Sequence, residues 1–170
     1  MSPTDRPSWG AVWMSMAENI GQRTRCVRAQ RATQAGGIGC VIVSSDNRVV
    51  STSYAGPPAG YAPANEDPGS GCDKWCPRAQ KTDNLDPGYT DCVSSHAEQS
   101  AIARADFTQA VGGTAYVNSS VCLQCSKLLA TALLSRVVMR VSPQDSHRFP
   151  SGSSVDYLRT AGLTVEVWPA

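Results

Sequence analysis

Cys92-Val93-Ser94-Ser95-His96-Ala97-Glu98-Gln99-Ser100-Ala101-Ile102, read together with Cys122-Leu123-Gln124-Cys125, decides how the rest of the chain is read. His96, Cys122 and Cys125 supply one imidazole and two thiolates, the donors zinc takes. Three protein ligands with an open fourth position is how a catalytic zinc is held. Glu98 is left over. Two positions from His96 on one helical turn, its carboxylate can point into the same pocket without binding the metal and move protons for a water at the open position. A zinc that only staples a fold closes its fourth position with a ligand and has no use for a spare carboxylate, so the pattern favours catalysis over a structural role.

Working outward, Ser94 or Ser95 is the expected cap of the helix carrying His96 and Glu98. Ala97, Ala101, Ile102 and Ala105 lie on its buried side and Gly112-Gly113 breaks the chain after it. Thr114-Ala115-Tyr116-Val117-Asn118 reads as a strand, and residues 122–135 as a helix with Leu128, Leu129, Ala132 and Leu133 inward. Both thiols then sit at a helix N-terminus, where the dipole favours the thiolate that zinc needs. Residues 136–141 form a further strand, residues 153–161 a short helix around Val155, Tyr157 and Leu158, and residues 163–168 a last strand. On the N-terminal side, Trp9, Val12, Trp13, Met16, Ala17 and Ile20 recur at helical spacing, with Ser8 as N-cap and Gly21 at the end. Residues 39–43 and 48–54 make a hairpin over Asp46-Asn47. Cys40 lies inside its first strand as a small buried hydrophobe and stays out of the metal accounting. Strands alternating with helices predict an α/β sheet sandwiched by helices.

At 170 residues and 41% hydrophobic content the chain is long enough for one well-buried core, so residues 1–170 are expected to form a single domain. A net charge of +1 provides no field to steer the chain onto nucleic acid, which favours a small-molecule substrate. No run approaches the length of a membrane span and residues 1–5 lack a signal peptide's basic start, which predicts a cytoplasmic protein away from membranes. Seven cysteines with C-x-x-C spacing then read as metal binding rather than disulfides.

Residues 22–37, with Arg23, Arg25, Arg28 and Arg31, read as a surface loop whose arginines either hold a phosphate or are simply solvated. Residues 55–90 are rich in proline and glycine and lack apolar periodicity, a long irregular segment that needs tying down. Cys72 and Cys76 within it, with Cys26 and Cys92, make four thiols. That is either a tetrahedral set for a second, structural zinc or four ordinary reduced cysteines. Asn118-Ser119-Ser120 matches a glycosylation sequon, without significance in a cytoplasmic chain.

These residues resemble the deoxycytidylate deaminases of the cytidine deaminase-like superfamily. H-x-E followed by P-C-x-x-C is the signature of zinc deaminases, here with Val121 in place of the proline. Trp9 to Met16 and Arg23-Thr24-Arg25-Cys26 look like that family's first helix and the arginine-cysteine element after it. Ile38 to Val43 looks like its first strand, and residues 92–102 are the nearest match. Tyr54-Ala55-Gly56-Pro57-Pro58 looks like the family's Gly-Tyr-Asn-Gly loop, which contacts nucleotide, with Ser53 for the glycine and Ala55 for the asparagine. Residues 29–37 look longer than the family's link between cysteine and strand.

The resemblance implies a three-layer α-β-α sandwich around a mixed five-stranded sheet. It implies zinc-dependent deamination of dCMP to dUMP with release of ammonia, by an oligomer, often a hexamer, activated by dCTP and inhibited by dTTP. Carried over by position, His96, Cys122 and Cys125 would bind the catalytic zinc and Glu98 would shuttle protons. Tyr54, Ala55, Gly56, Ala97, Ser120 and Val121 would contact the nucleotide. Cys26, Cys72, Cys76 and Cys92 would hold the structural zinc found in part of the family. Other readings are deamination of a different free nucleotide, nucleoside or base, a polynucleotide editor, and a non-catalytic zinc-stapled module. An editor needs a basic groove with stacking aromatics, and 6% aromatic residues with balanced charge argue against it.

Overall fold

A computed structural model describes residues 6–66, 71–81, 91–141 and 151–169, with the side chains of 151–153 excepted. In chain order the elements are α1 (Trp9–Gly21), α2 (Val27–Ala32), β1 (Gly39–Val43), β2 (Val49–Tyr54), a single 3-10 turn at Cys72–Lys74, α3 (Pro77–Gln80), α4 (Ala97–Arg104), α5 (Phe107–Ala110), β3 (Thr114–Val117), α6 (Leu123–Thr131), β4 (Arg136–Arg140), α7 (Ser151–Thr160) and β5 (Thr164–Trp168).

The five strands form one sheet in the order β2-β1-β3-β4-β5. β1 runs antiparallel to β2 and β3, while β3, β4 and β5 are parallel to one another, so the sheet is mixed. Its middle strands are apolar on both faces, and their residues divide between two cores with the two-residue period of a strand. Val41, Val43, Tyr116 and Val138 face Trp13, Met14 and Ala17 of α1. Cys40, Ile42, Ala115, Val117, Val137 and Met139 face Ala97 and Ala101 of α4, Leu129 of α6 and Leu158 of α7. The result is the expected three-layer α-β-α sandwich.

Ser8 caps α1 by accepting from the Ala11 amide, 3.2 Å away. The helix lies so close to the start of β1 that a Cβ on Gly39 would overlap the Ala17 carbonyl. Trp9, expected in the core, is 54% exposed and stacks on Trp13 instead, their rings 5.1 Å apart. Asn118 is buried, its Oδ1 accepting from Gly39 and its Nδ2 donating to the Gly37 carbonyl at 2.8 and 2.9 Å. The sequon asparagine thus fastens the exit of β3 to the entry of β1 and sets where Ser119 to Cys122 begin.

Three expectations change. Residues 22–37 contain α2, a six-residue helix that buries Ala29 between its arginines, so charge masked a helix there. The helix expected over 122–135 ends at Thr131. Leu133 takes a φ of 57°, so burial passes to Leu134 while Leu128 and Leu133 are exposed. Residues 55–90 are not wholly irregular, because the 3-10 turn and α3 lie within them; residues 67–70 and 82–90 fall outside the described set. No helix among the described residues is long and apolar enough to cross a membrane.

Candidate active site

His96 and Cys122 are the N-cap residues of α4 and α6, not members of their first turns. The expected cap, Ser94 or Ser95, does not act as one: Ser95 exchanges two backbone hydrogen bonds, both 3.0 Å, with Gly56, which holds the chain extended up to His96. His96 then closes a capping box. Its side chain accepts from the Gln99 amide while Gln99 Oε1 receives the His96 amide at 2.8 Å. Cys122 caps α6 in the same manner, its Sγ accepting from the Cys125 amide at 3.4 Å.

These two helix starts converge. His96 Nδ1 lies 3.5 Å from Cys122 Sγ and 3.4 Å from Cys125 Sγ. A tetrahedral zinc with bonds of about 2.3 Å to sulfur and 2.05 Å to nitrogen holds those atoms about 3.6 Å apart. The three donors therefore fit zinc as they stand. Among the described residues they are the only group of three or more His, Cys, Asp or Glu whose ligand atoms lie within 4.8 Å of one another.

The charges agree with that fit. Cys122 is pulled down to about 4, first by the hydrogen bond with Cys125 and then by His96, so this thiol is ready as a thiolate. Cys125 is pushed up by the same hydrogen bond and by burial, the two sulfurs sharing one proton. For His96, burial disfavours the imidazolium, but the Cys122 hydrogen bond and the Glu98 and Cys122 charges outweigh it and the net shift is upward. Glu98 is 3% exposed on the first turn of α4, and burial raises its carboxyl above the usual range. A carboxyl raised in this way is a better proton acceptor than a solvated one, as a group that takes up and returns protons must be.

One cavity of about 90 Å³ reaches this group, several times the ~10–15 Å³ that one water needs. His96, Ala97, Glu98, Ser119, Ser120 and Cys122 line one wall. Of the residues expected at the nucleotide, Ala55, Ala97 and Ser120 line the cavity. Tyr54 and Gly56 do not, and Val121 is fully buried in the core. Ser120 Oγ is buried without a hydrogen-bond partner among the described residues, so it faces the cavity with its capacity unused. Sequence reasoning did not single out Ser119 or Arg78, both on the cavity wall. Ser119 was legible as the neighbour of Ser120, whereas nothing in the local pattern marks Arg78.

The remaining cysteines also gather. Cys26 is hydrogen-bonded to Cys72 and Cys92 to Cys76, and the charges of Cys26 and Cys76 act across the two pairs. Cys26 is lowered to about 5 by the Cys72 hydrogen bond, which pushes Cys72 up; burial and then the Cys76 and Cys26 charges raise Cys92. Cys26, Cys72 and Cys76 are buried and Cys92 half-buried. All seven cysteines are free of disulfides, and Cys40 sits apart in β1, its thiol raised by complete burial.

The model of the cytidine and deoxycytidylate deaminase zinc-binding region matches residues 7–141. The deoxycytidylate deaminase of Mycobacterium phage D29 is 34% identical over 138 residues, 78% of this chain and 94% of that protein. The deoxycytidylate deaminase of Schizosaccharomyces pombe is 32% identical over 145 residues, 84% of this chain but 40% of that protein. The dCMP deaminase of cyanophage S-TIM5, solved in apo form, superposes with a TM-score of 0.63 at 20% identity, over 96% of this chain and 99% of that one, and so shares the fold. The same enzyme in complex with dCMP and dUMP gives a TM-score of 0.63 at 21% identity, over 96% and 98%. With its matched residues spanning both helix starts that carry the zinc donors, the chain belongs to the zinc-binding cytidine and deoxycytidylate deaminase family.

Proposed function

We propose that the chain deaminates a free cytosine nucleotide by hydrolysis, dCMP to dUMP with release of ammonia, with His96, Cys122 and Cys125 holding zinc and Glu98 moving the protons. The observation that carries this reading is the position of Glu98: a buried carboxyl in the cavity, beside three donors that leave the fourth zinc position open. Held by His96, Cys122 and Cys125, a zinc ion would supply the Lewis acidity that makes a water nucleophilic at neutral pH. Glu98 accepts the proton that this water gives up and returns protons to the ring nitrogen and to the departing amine. The net exchange is one C–N bond broken and one C–O bond made. Ala97, at the start of α4, and Ser119 and Ser120, at the exit of β3, form the wall against which the base is set, and Ser120 Oγ is placed to take a hydrogen bond from it.

The phage relative is named deoxycytidylate deaminase and extends over nearly the same length, which supports dCMP over other rings. Ala55 keeps a second reading in play: a methyl group on the cavity wall offers a substrate no hydrogen bond, which favours a ring or sugar differing from that of dCMP. Ammonia release from a panel of cytosine and purine bases, nucleosides and mono-, di- and triphosphates decides between them. The reading stands on dCMP being the best substrate and falls if a purine or a nucleoside outpaces it.

The same proposal includes a second, structural zinc on Cys26, Cys72, Cys76 and Cys92. The pairing of Cys26 with Cys72, one thiol lowered and the other raised, and the burial of three of the four sulfurs support it. Four sulfurs on one tetrahedral zinc stand about 3.8 Å apart, so loading draws the two pairs together. We further propose one domain over residues 1–170, a cytoplasmic homo-oligomer, a hexamer by family resemblance, and dCTP and dTTP as effectors, with no nucleic acid bound. Ammonia release with and without each triphosphate, and mass measurement in solution, test these.

A further inference from the structure

Thr24 lies outside the cavity lining and no step of the proposed deamination uses it, yet it is 4% exposed and its polar groups are all engaged. Its Oγ1 donates to the Ala55 carbonyl and accepts from the Cys26 amide, 3.1 Å away. A hydroxyl has one hydrogen to give, and here it goes to Ala55. Both neighbours are cavity wall, and they come from different stretches of chain: Cys26 is the N-cap of α2, and Ala55 follows β2. The backbone of Thr24 is held as well, its amide donating to the Gly21 carbonyl at 3.0 Å and its carbonyl accepting from Gln30 Nε2 at 3.2 Å. Its methyl packs on Gly37, where a Cβ would come within 2.8 Å of it. A β-branched side chain pinned at both its methyl and its hydroxyl is left one χ1 rotamer.

What the hydroxyl holds leads toward the site. Ala55 donates its amide to the Ile38 carbonyl at 2.8 Å and gives its carbonyl to Thr24. The next residue, Gly56, exchanges two hydrogen bonds with Ser95, the neighbour of His96. A line of contacts therefore runs from Thr24 through Ala55 and Gly56 to Ser95. His96 has anchors of its own in the capping box with Gln99. Loss of the hydroxyl would orphan a buried carbonyl and a buried amide, groups that must then move to a partner or admit water. The Ala55 wall would give first, ahead of His96.

We propose that Thr24 is a positioning residue: its hydroxyl is the strut that sets the gap between the Cys26 and Ala55 walls, and so governs how tightly the nucleotide is held rather than how fast it reacts. The inference rests on the reading of this cavity as a deaminase site. The competing role is plain packing, in which the hydroxyl supports stability alone.

The experiment compares the full zinc-loaded chain with Thr24→Val, which keeps the shape and loses the hydroxyl, and Thr24→Ser, which keeps the hydroxyl and loses the methyl. Amide hydrogen exchange and steady-state ammonia release from dCMP are measured on each. In Thr24→Val the Cys26, Gly56 and Ser95 amides should exchange about 10-fold faster, while the His96 and Gln99 amides keep the parent rate. KM for dCMP should rise about 3- to 10-fold, the worth of one hydrogen bond, with kcat within about 2-fold of the parent and zinc content unchanged. Thr24→Ser should bring both exchange and KM most of the way back. Thr24→Ala, which leaves room for a water to serve the two orphaned groups, carries the same expected rise in KM and keeps the test readable if Thr24→Val unfolds. The proposal is overturned if only the thermal midpoint falls while KM and kcat hold, if kcat falls as far as KM rises, if Thr24→Ser behaves as Thr24→Val, or if exchange at Gly56 and Ser95 does not change. Failure of the deaminase reading looks different: the parent releases no ammonia from any cytosine compound, while the exchange pattern still follows Thr24.

Discussion

Two thiol clusters lie within one molecule, and they are built in opposite ways. His96, Cys122 and Cys125 stand at the N-termini of α4 and α6, two helices packed on the same face of the sheet, and their ligand atoms already lie at zinc-binding separations. Cys26, Cys72, Cys76 and Cys92 come from the caps of two short helices, a 3-10 turn and an extended approach to α4, and stand in two pairs. In both, one thiol of a pair is lowered and its partner raised. Under the proposed reading the different scaffolding would separate two uses of a metal: a rigid frame holds an open position for chemistry, while a metal that closes a loop would supply the rigidity itself.

The comparison can be broken most sharply at its catalytic end. Cys125→Ser should abolish measurable ammonia release and remove one zinc of two, while metal analysis still finds the ion held by the other cluster. Loss of both ions would show that the two sites load as one unit. Glu98→Gln comes next. Turnover should fall by at least about 10²- to 10⁴-fold, the usual share of a positioned proton carrier, with zinc content and thermal midpoint unchanged. Zinc loss in that variant would make Glu98 a ligand.

At the other end, Cys92→Ser should lower the thermal midpoint sharply and leave the catalytic zinc in place, because removal of a structural ligand costs folding energy outright. One zinc per chain in the parent, retained in Cys92→Ser, would leave the four cysteines as plain thiols. Ala55→Asn should raise dCMP turnover about 2- to 10-fold, the worth of one hydrogen bond; a decrease would mean the cavity is shaped for another substrate. The smallest effect belongs to Cys40→Ala. It should cost about 1–2 kcal/mol of stability for a small cavity between sheet and helices, with no change in zinc.

How much of this was legible in the sequence depended on whether neighbours along the chain or neighbours in space set the outcome. The five strands and the helices that carry the site were readable because periodicity is local: β1 alternates its residues between the two cores as its pattern says. His96, Glu98, Cys122 and Cys125 were readable because short spacing at a helix start fixes geometry within one turn. The cap was not, since the Ser95 backbone is claimed by Gly56, some forty positions earlier, and no local rule sees that bridge. Leu133 misled for a related reason: its apolar character continued the helical pattern past the residue where the backbone turns into positive φ. Arg78 gave no signal at all. Its guanidinium meets Asp91 and its carbonyl accepts from an α2 arginine fifty positions away, contacts that exist only once the chain is folded.

That two donors double as helix caps has a further consequence for metal exchange. The His96 and Cys122 side chains each accept from a backbone amide of the helix they begin, so both helix ends stay fastened when the ion leaves. A chelator should then strip this ion without melting α4 or α6, and cobalt(II) offered afterwards should enter a ready socket. Its visible spectrum would report the geometry of that socket directly, on a protein that never had to refold around it.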